Sequence, residues 1–534
     1  MSVIAIAMAA CVAATPPAAA APGAAVEIAA PIDPFEIPVA VREPTEEEWA
    51  EIERLVTAAE TARDENRFEE AFREANALVG LARATFGPRH PVTASSLNIV
   101  GQVHYAKGEY DTAAEMFAEI ADMRVEGLGE AHPDVGQAYN NLASARVMLG
   151  DYRAGLEGQR KALAVWKAAL GPDHPEVAAG LENLGLALID VGEMDEADGV
   201  LTEALWLRRR VTPDEIGQAT ILSGLARVAI GQGRYDRAEA CHREALAFTE
   251  SIGQGGSITA GIALTGVGDV LDSLGRYEEA AGYFQRGAEI FEQVLGPKHP
   301  FVGTSLVNMG VAHLTGGGFD RAEPLLRRAL AVREGALGAN HVETAEARSY
   351  LGEALRGQGR LLESRVEAER AVADLTAGLG ADDRRTAFGN LRLATTLGDQ
   401  GEIDAGVAAA RQAAQALSRT LGPDHPDTAQ AEARLARLLI QAGDARAAEA
   451  LLARSTRVGG DSLGSGSPLV LDRRAGWAQA LLKLGRPDEA LAVSRAIDMG
   501  HGAGRPSRPA RMLYRQRVAA GWAVAAALEA EAGP

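Results

Sequence analysis

The sequence predicts an all-α solenoid of about eleven tandem helix-turn-helix units, and two columns of residues carry that expectation. The first is a segment of the form L-G-x-x-H-P, or a close variant, starting at 86, 128, 170, 295, 337, 379 and 421. Its copies advance by 42 residues except across the gap from 170 to 295, which is one residue short of three periods. Two degenerate copies fall inside that gap, VTPDEI at 211–216 and IGQGGS at 252–257, and LGSGSP follows at 463–468. The second column is glycine, at 108, 150, 192, 233, 275, 317, 359, 401, 443 and 485, with one step of 41 and the rest of 42. Extended backwards, the period reaches Asn66, and asparagine is the residue that best replaces glycine where φ must be positive.

Taken in chain order, residues 1–21 carry no charge, and the apolar run 4–14 precedes Ala19-Ala20-Ala21. This reads as a secretory signal, with export to the periplasm or beyond as the expectation and a cytoplasmic leader as the alternative. Prolines 22, 31, 34, 38 and 44 make residues 22–44 an extended linker. The array then occupies 45–500. Within each unit a proline (Pro91, Pro133, Pro175, Pro300 or Pro426) opens the first helix, where a missing N–H costs nothing. An apolar stripe such as Leu181, Leu184, Gly185 and Leu188 follows at helical spacing, and the glycine column stops the helix. A second helix starts near Tyr110, Tyr152, Tyr235 or Tyr277. Five residues after each column glycine stands a small residue (Ala113, Gly155, Ala197 and so on), which allows two helices to cross closely. Residues 501–534 leave the period, with five arginines and then an apolar half around Trp522, and are expected to form a capping helix.

Composition narrows the function. A formal charge of −20 opposes a general nucleic-acid binder, which needs a surplus of Lys and Arg. No stretch after residue 30 approaches the ~20 apolar residues that span a bilayer. Two cysteines, Cys11 and Cys241, form no CxxC pair. Six histidines (90, 132, 174, 299, 341 and 425) share one phase of the linker. Successive copies therefore lie at least a helix spacing apart, too far for one metal, and no metal or other cofactor is expected. Gly460-Asp461-Ser462-Leu463-Gly464 matches G-x-S-x-G, but that chemistry needs a strand-to-helix elbow, and no strand pattern precedes it. Cys241 beside His242 points about 100° away from it on a helix. No catalytic residue is assigned, and the chain is read as a non-enzyme.

The order bulky–x–x–Leu–Gly/Ala, Gly–x–Tyr, Ala and a second small residue (Ala162, Ala204, Ala245, Ala329) is similar to the tetratricopeptide signature. The 42-residue length, the LG-x-x-HP linker and Tyr139-Asn140-Asn141-Leu142-Ala143 resemble the long repeats of kinesin light chains and their bacterial relatives. HEAT or armadillo repeats have a similar length but do not predict the Gly–x–Tyr–x–x–Ala column. The resemblance implies a right-handed superhelix. Units five, six and eleven lose His-Pro, and Arg348, Asn390, Glu432 and Arg474 replace the first bulky residue in units eight to eleven, which are expected to splay or bind differently.

The resemblance further implies that the face of each first helix opposite its apolar stripe, for example Glu182, Asn183, Leu186 and Ile189, lines a concave groove for a peptide or partner helix. Polar candidates on it are Asn98, Asn140, Asn141, Asn183 and Asn308, whose amides offer both donor and acceptor to a peptide backbone. Toward the C-terminus the candidates are cationic: Arg356, Arg392, Arg434, Arg437 and Lys483, suited to an acidic segment. Asp269, Asp272, Glu353 and Asp399 share the face and dilute its charge. The expected function is a protein-binding scaffold. The alternatives are a regulatory subunit of a separately encoded protease or signalling effector and, further off, a serine hydrolase using Ser462.

Overall fold

A computed structural model describes residues 42–463 and 468–499; the expected signal, most of the linker and the expected capping helix lie outside them. Twenty-two helices follow one another among the described residues, with no strand. They are α1 (Glu46–Asp64), α2 (Phe68–Phe86), α3 (Pro91–Lys107), α4 (Tyr110–Leu128), α5 (Pro133–Met148), α6 (Tyr152–Leu170), α7 (Pro175–Val191), α8 (Met194–Val211), α9 (Gly217–Gly231), α10 (Tyr235–Ser251) and α11 (Ile258–Ser273). There follow α12 (Tyr277–Leu295), α13 (Pro300–Thr315), α14 (Phe319–Leu337), α15 (Val342–Gly357), α16 (Leu361–Leu379), α17 (Arg384–Asp399), α18 (Ile403–Leu421), α19 (Pro426–Gln441), α20 (Ala445–Leu463), α21 (Pro468–Lys483) and α22 (Pro487–Met499). Odd-numbered helices are the first of each repeat and even-numbered ones the second. The chain divides into two compact units: residues up to Gln232 with Ala247–Ile252, and Gly233–Leu246 with the residues from Gly253 on. The division falls in the two repeats whose linkers are degenerate. No helix among the described residues is long and apolar enough to cross a membrane.

Backbone chemistry explains both columns. Each column glycine has positive φ, and the non-glycine residue that shares this conformation among the described residues is Asn66, at φ 59°. The linker glycine is a different case. Gly338 (φ 97°, ψ 158°) and Gly380 (φ 86°, ψ 165°) end α14 and α16 in a region that is essentially closed to any side chain. Asparagine cannot stand there, so the linker glycine tolerates no such substitute.

The six linker histidines are N-caps. In each, backbone at the extended position aims Nδ1 at the N–H two residues on, as in Glu343 N–H donating to His341 Nδ1 at 3.2 Å. The same bond joins Val92 to His90, Asp134 to His132, Glu176 to His174, Phe301 to His299 and Asp427 to His425. Asp383 replaces histidine with the same geometry, its carboxylate accepting from Arg385 N–H at 2.8 Å. Accepting at Nδ1 assigns the proton of each neutral ring to Nε2. Replacing His341 by alanine is therefore expected to cost about 1 kcal/mol, with faster amide exchange in the first turn of α15, whereas His341→Asp keeps the cap.

Packing repeats as well. A knob from the second helix seats on a glycine of the first: a Cβ on Gly101 would lie 2.7 Å from Phe117, one on Gly185 2.4 Å from Leu201, one on Gly268 2.6 Å from Phe284. The small column that includes Ala113, Ala197, Ala280 and Ala322 is fully buried, as the crossing argument requires. First helices depart from the simple amphipathic expectation. In α11 every residue from Ala260 to Gly268 is buried, with α12 packed along one side and the next first helix, α13, touching another. Glu182 and Ile189, expected on an open face, are buried too.

The substituted repeats do not splay. Arg348 is 1% exposed, held by Glu334 and Asp374 at 2.7 and 2.9 Å, and α15 keeps its bounds in the period. Glu432 is buried against Arg454, and Asn390 donates to the Thr386 carbonyl of its own helix at 3.2 Å. Local partners thus replace the apolar contact.

Candidate functional site

First helices of neighbouring repeats touch one another more extensively than second helices do, so their side chains form ladders along the inner side. The repeat length sets the rungs. A residue pairs with another 43 or 39 positions away, one period plus or minus a short helical step. Asn141 Nδ2 donates to Asn98 Oδ1 at 2.9 Å, and Asn183 Nδ2 to Asn140 Oδ1 at 2.8 Å. Asn140 Nδ2 reaches Asn141 Oδ1 at 3.4 Å, which links the two rungs. The four amides therefore form one chain that runs from Asn183 on α7 through Asn140 and Asn141 on α5 to Asn98 on α3. Asn308 stands apart, donating to Asp269 Oδ1 at 3.2 Å.

In the second compact unit the ladder is ionic. Arg356 pairs with Asp399 at 2.8 Å, and Arg392 pairs with Glu353 at 3.0 Å. Arg392 also lies over the Tyr350 ring, 3.9 Å from its centre, and donates to Ser349 Oγ at 3.3 Å. Arg434, on α19, is half-buried and makes no hydrogen bond or ion pair among the described residues. Burial lowers its pKa, and the neighbouring guanidiniums of Arg392 and Arg356 lower it further against the pull of Glu353. Burial pushes Glu353 up, but Arg434, Arg392 and Arg356 outweigh it and hold this carboxylate below its ordinary range. Three guanidiniums thus share two carboxylates on one face, and one guanidinium is left over.

The other cationic candidates lie elsewhere. Arg437 is exposed and pairs with Asp472, while Lys483 Nζ donates to the Ile440 carbonyl at 2.9 Å. Of the four acids expected on the face, Asp269, Glu353 and Asp399 are partners of its donors. Tyr350 and Ser349 were missed; the signal that reaches them is the offset of about one period from Arg392. Of the G-x-S-x-G stretch, residues 460–463 continue α20 and Gly464 lies outside the described residues; Ser462 thus stands on a helix, with no strand before it among the described residues.

The geometry of repeated helix pairs agrees with known proteins. No curated protein sequence matches the chain. Among solved structures, the apo form of RapI is 12% identical over 68% of this chain and 97% of its own, with a TM-score of 0.50. The apo quorum sensor NprR from B. thuringiensis is 12% identical over 70% and 99%, also at 0.50. BtubC (BKLC) from P. vanneervenii is 20% identical over 43% and 91%, at 0.38. Models of the tetratricopeptide repeat match residues 53–124, 134–210, 176–251, 259–335 and 384–459, and a second such model matches 223–294 and 307–379. With those matches running through most of the helical array, the chain belongs to the tetratricopeptide repeat family.

Proposed function

We propose that this protein is a non-catalytic scaffold that holds an acidic segment of another polypeptide on the inner side of α15, α17 and α19. Arg434 carries the reading: a half-buried guanidinium near two others, with no hydrogen bond or ion pair of its own among the described residues. A carboxylate arriving there takes charge-assisted hydrogen bonds without breaking any existing one, and relieves repulsion from Arg356 and Arg392. Arg356 and Arg392 are already committed to Asp399 and Glu353, so they shape the field rather than supply the free donor.

A fluorescein-labelled deca-glutamate peptide, followed by anisotropy at low salt, tests this. Arg434→Gln is expected to weaken binding about tenfold, the equivalent of about 1.4 kcal/mol, while the helical signal stays constant. Binding that is as tight for the Gln variant, or equal for a deca-lysine control, would overturn the assignment. Export, read from residues 1–21, is proposed as the setting, and processing of the leader in the native host tests it.

A further inference from the structure

A second feature lies in the other compact unit and does not depend on Arg434. Along the second helices, one phase holds Ala75, Phe117, Leu201, Phe284, Leu326, Ala368, Ala410 and Leu452, all buried and apolar, and its polar members are Gln159, His242 and Ser494. Gln159 stands in that phase on α6. It is 4% exposed, and its carboxamide makes no hydrogen bond among the described residues. A repeat that needed only packing would carry leucine or phenylalanine here, as its neighbours do. Leaving an amide unpaired in such a place costs about 1–3 kcal/mol.

Gln159 borders a narrow open cleft of ≈ 40 Å³ formed with α3, α5 and α7. Asn183 and Asp190, two turns apart on α7, border the same cleft, and Tyr105, Met148 and Leu186 supply its apolar wall. The amide chain described above ends at Asn183. Its Nδ2 is committed to Asn140, so Oδ1 is the end turned toward further donors. Hydrogen bonds in series polarise one another, which strengthens that last oxygen as an acceptor. Asp190 gives one oxygen to Arg227 at 3.0 Å. Burial nonetheless holds its carboxyl above the ordinary range, against the pull of Arg227. Gln159 can turn its amide about the last torsion to present its oxygen. Acceptors around an apolar throat suit a cationic donor on a hydrocarbon stem.

We propose that this cleft binds a primary alkylammonium group, from a lysine side chain or a free alkylamine, held by the Asp190 carboxylate and the Gln159 carboxamide, with Asn183 Oδ1 as a further acceptor along the cleft wall. The stem lies against Met148 and Leu186. The test follows the methyl resonance of Met148 in protein labelled at its methionine methyls, assigned with Met148→Leu. It titrates n-butylammonium against n-butanol at matched ionic strength, and acetyl-Gly-Lys-Gly-amide against the same peptide with norleucine. A saturable shift with butylammonium, at least tenfold weaker in Asp190→Asn and in Gln159→Leu, is expected. Because Gln159→Leu installs the residue used in the same phase elsewhere, it keeps the packing and separates binding from folding. Tighter binding of the lysine peptide than of the amine identifies a polypeptide as the source, and the reverse identifies a free amine. Equal response to butanol, unchanged affinity in both variants, or no saturable shift with any ammonium probe overturns the site.

Discussion

Replacing Arg348 by alanine is expected to lower the stability of the repeats around it by about 3 kcal/mol, the scale for breaking a buried ion pair from one side. The guanidinium is 1% exposed and reaches Glu334 on α14 and both Glu367 and Asp374 on α16. It therefore joins three successive helices at a point where Leu55, Leu97, Leu181, Leu222, Leu264 and Leu306 do the same work by apolar contact. Alanine removes the charge that holds three carboxylates together and leaves a cavity as well. Arg321 supplies the control. Its pair with Glu278 is more than half exposed on both sides, and Arg321→Ala is expected to shift stability by at most about 1 kcal/mol. Repeat arrays can unfold in parts, so amide exchange in α14 to α16 is the measurement to compare, alongside the urea midpoint. If Arg348→Ala opens those helices no more than Arg321→Ala does, the buried arginine is not what couples them.

Arg348 also marks where reading the sequence stops. Features that repeat in phase were legible. Asn66 in the glycine column, the histidine phase and the small column all appear as positions whose backbone or packing demand is the same in every unit. Their meaning was partly legible too: the histidines were placed at helix starts, and the structure adds that Nδ1 is the cap. The partners of Arg348 lie 14, 19 and 26 positions away, at no multiple of the period, so a polar residue in an apolar phase looked like a break in the array. The groove shows a related limit. Its candidate asparagines and arginines were found one by one, but their bonding to each other, amide to amide and guanidinium to acid, depends on the offset between neighbouring first helices. That offset is a property of stacked repeats, and no single unit displays it.

The same mostly apolar phase that holds Gln159 contains another buried polar residue, His242 on α10, and it is expected to make the protein acid-sensitive. The ring packs flat on the backbone of Gly266, where a Cβ would lie 2.2 Å from its Cε1, and Nδ1 has no hydrogen-bond partner among the described residues. Burial drives its pKa from 6.5 down to about 4. Below pH 6.5 the unfolded chain takes up a proton that the folded chain refuses until about pH 4. Its contribution is thus present above pH 6.5 and is lost as the pH falls toward 4, a total of about 3 kcal/mol at about 1.4 kcal/mol per pH unit. Between pH 7 and 5 the loss attributable to this ring is about 2 kcal/mol. His242→Leu puts into α10 the residue found in phase at 201, 326 and 452, removes the titrating group and leaves the capping histidines untouched. The difference between wild type and variant, taken at each pH from urea midpoints, therefore isolates His242. It should widen by about 2 kcal/mol from pH 7 to pH 5, in favour of leucine. A constant difference across that range would mean that the buried ring is protonated in the fold, and that a proton on it is solvated by a route the packing around Gly266 does not provide.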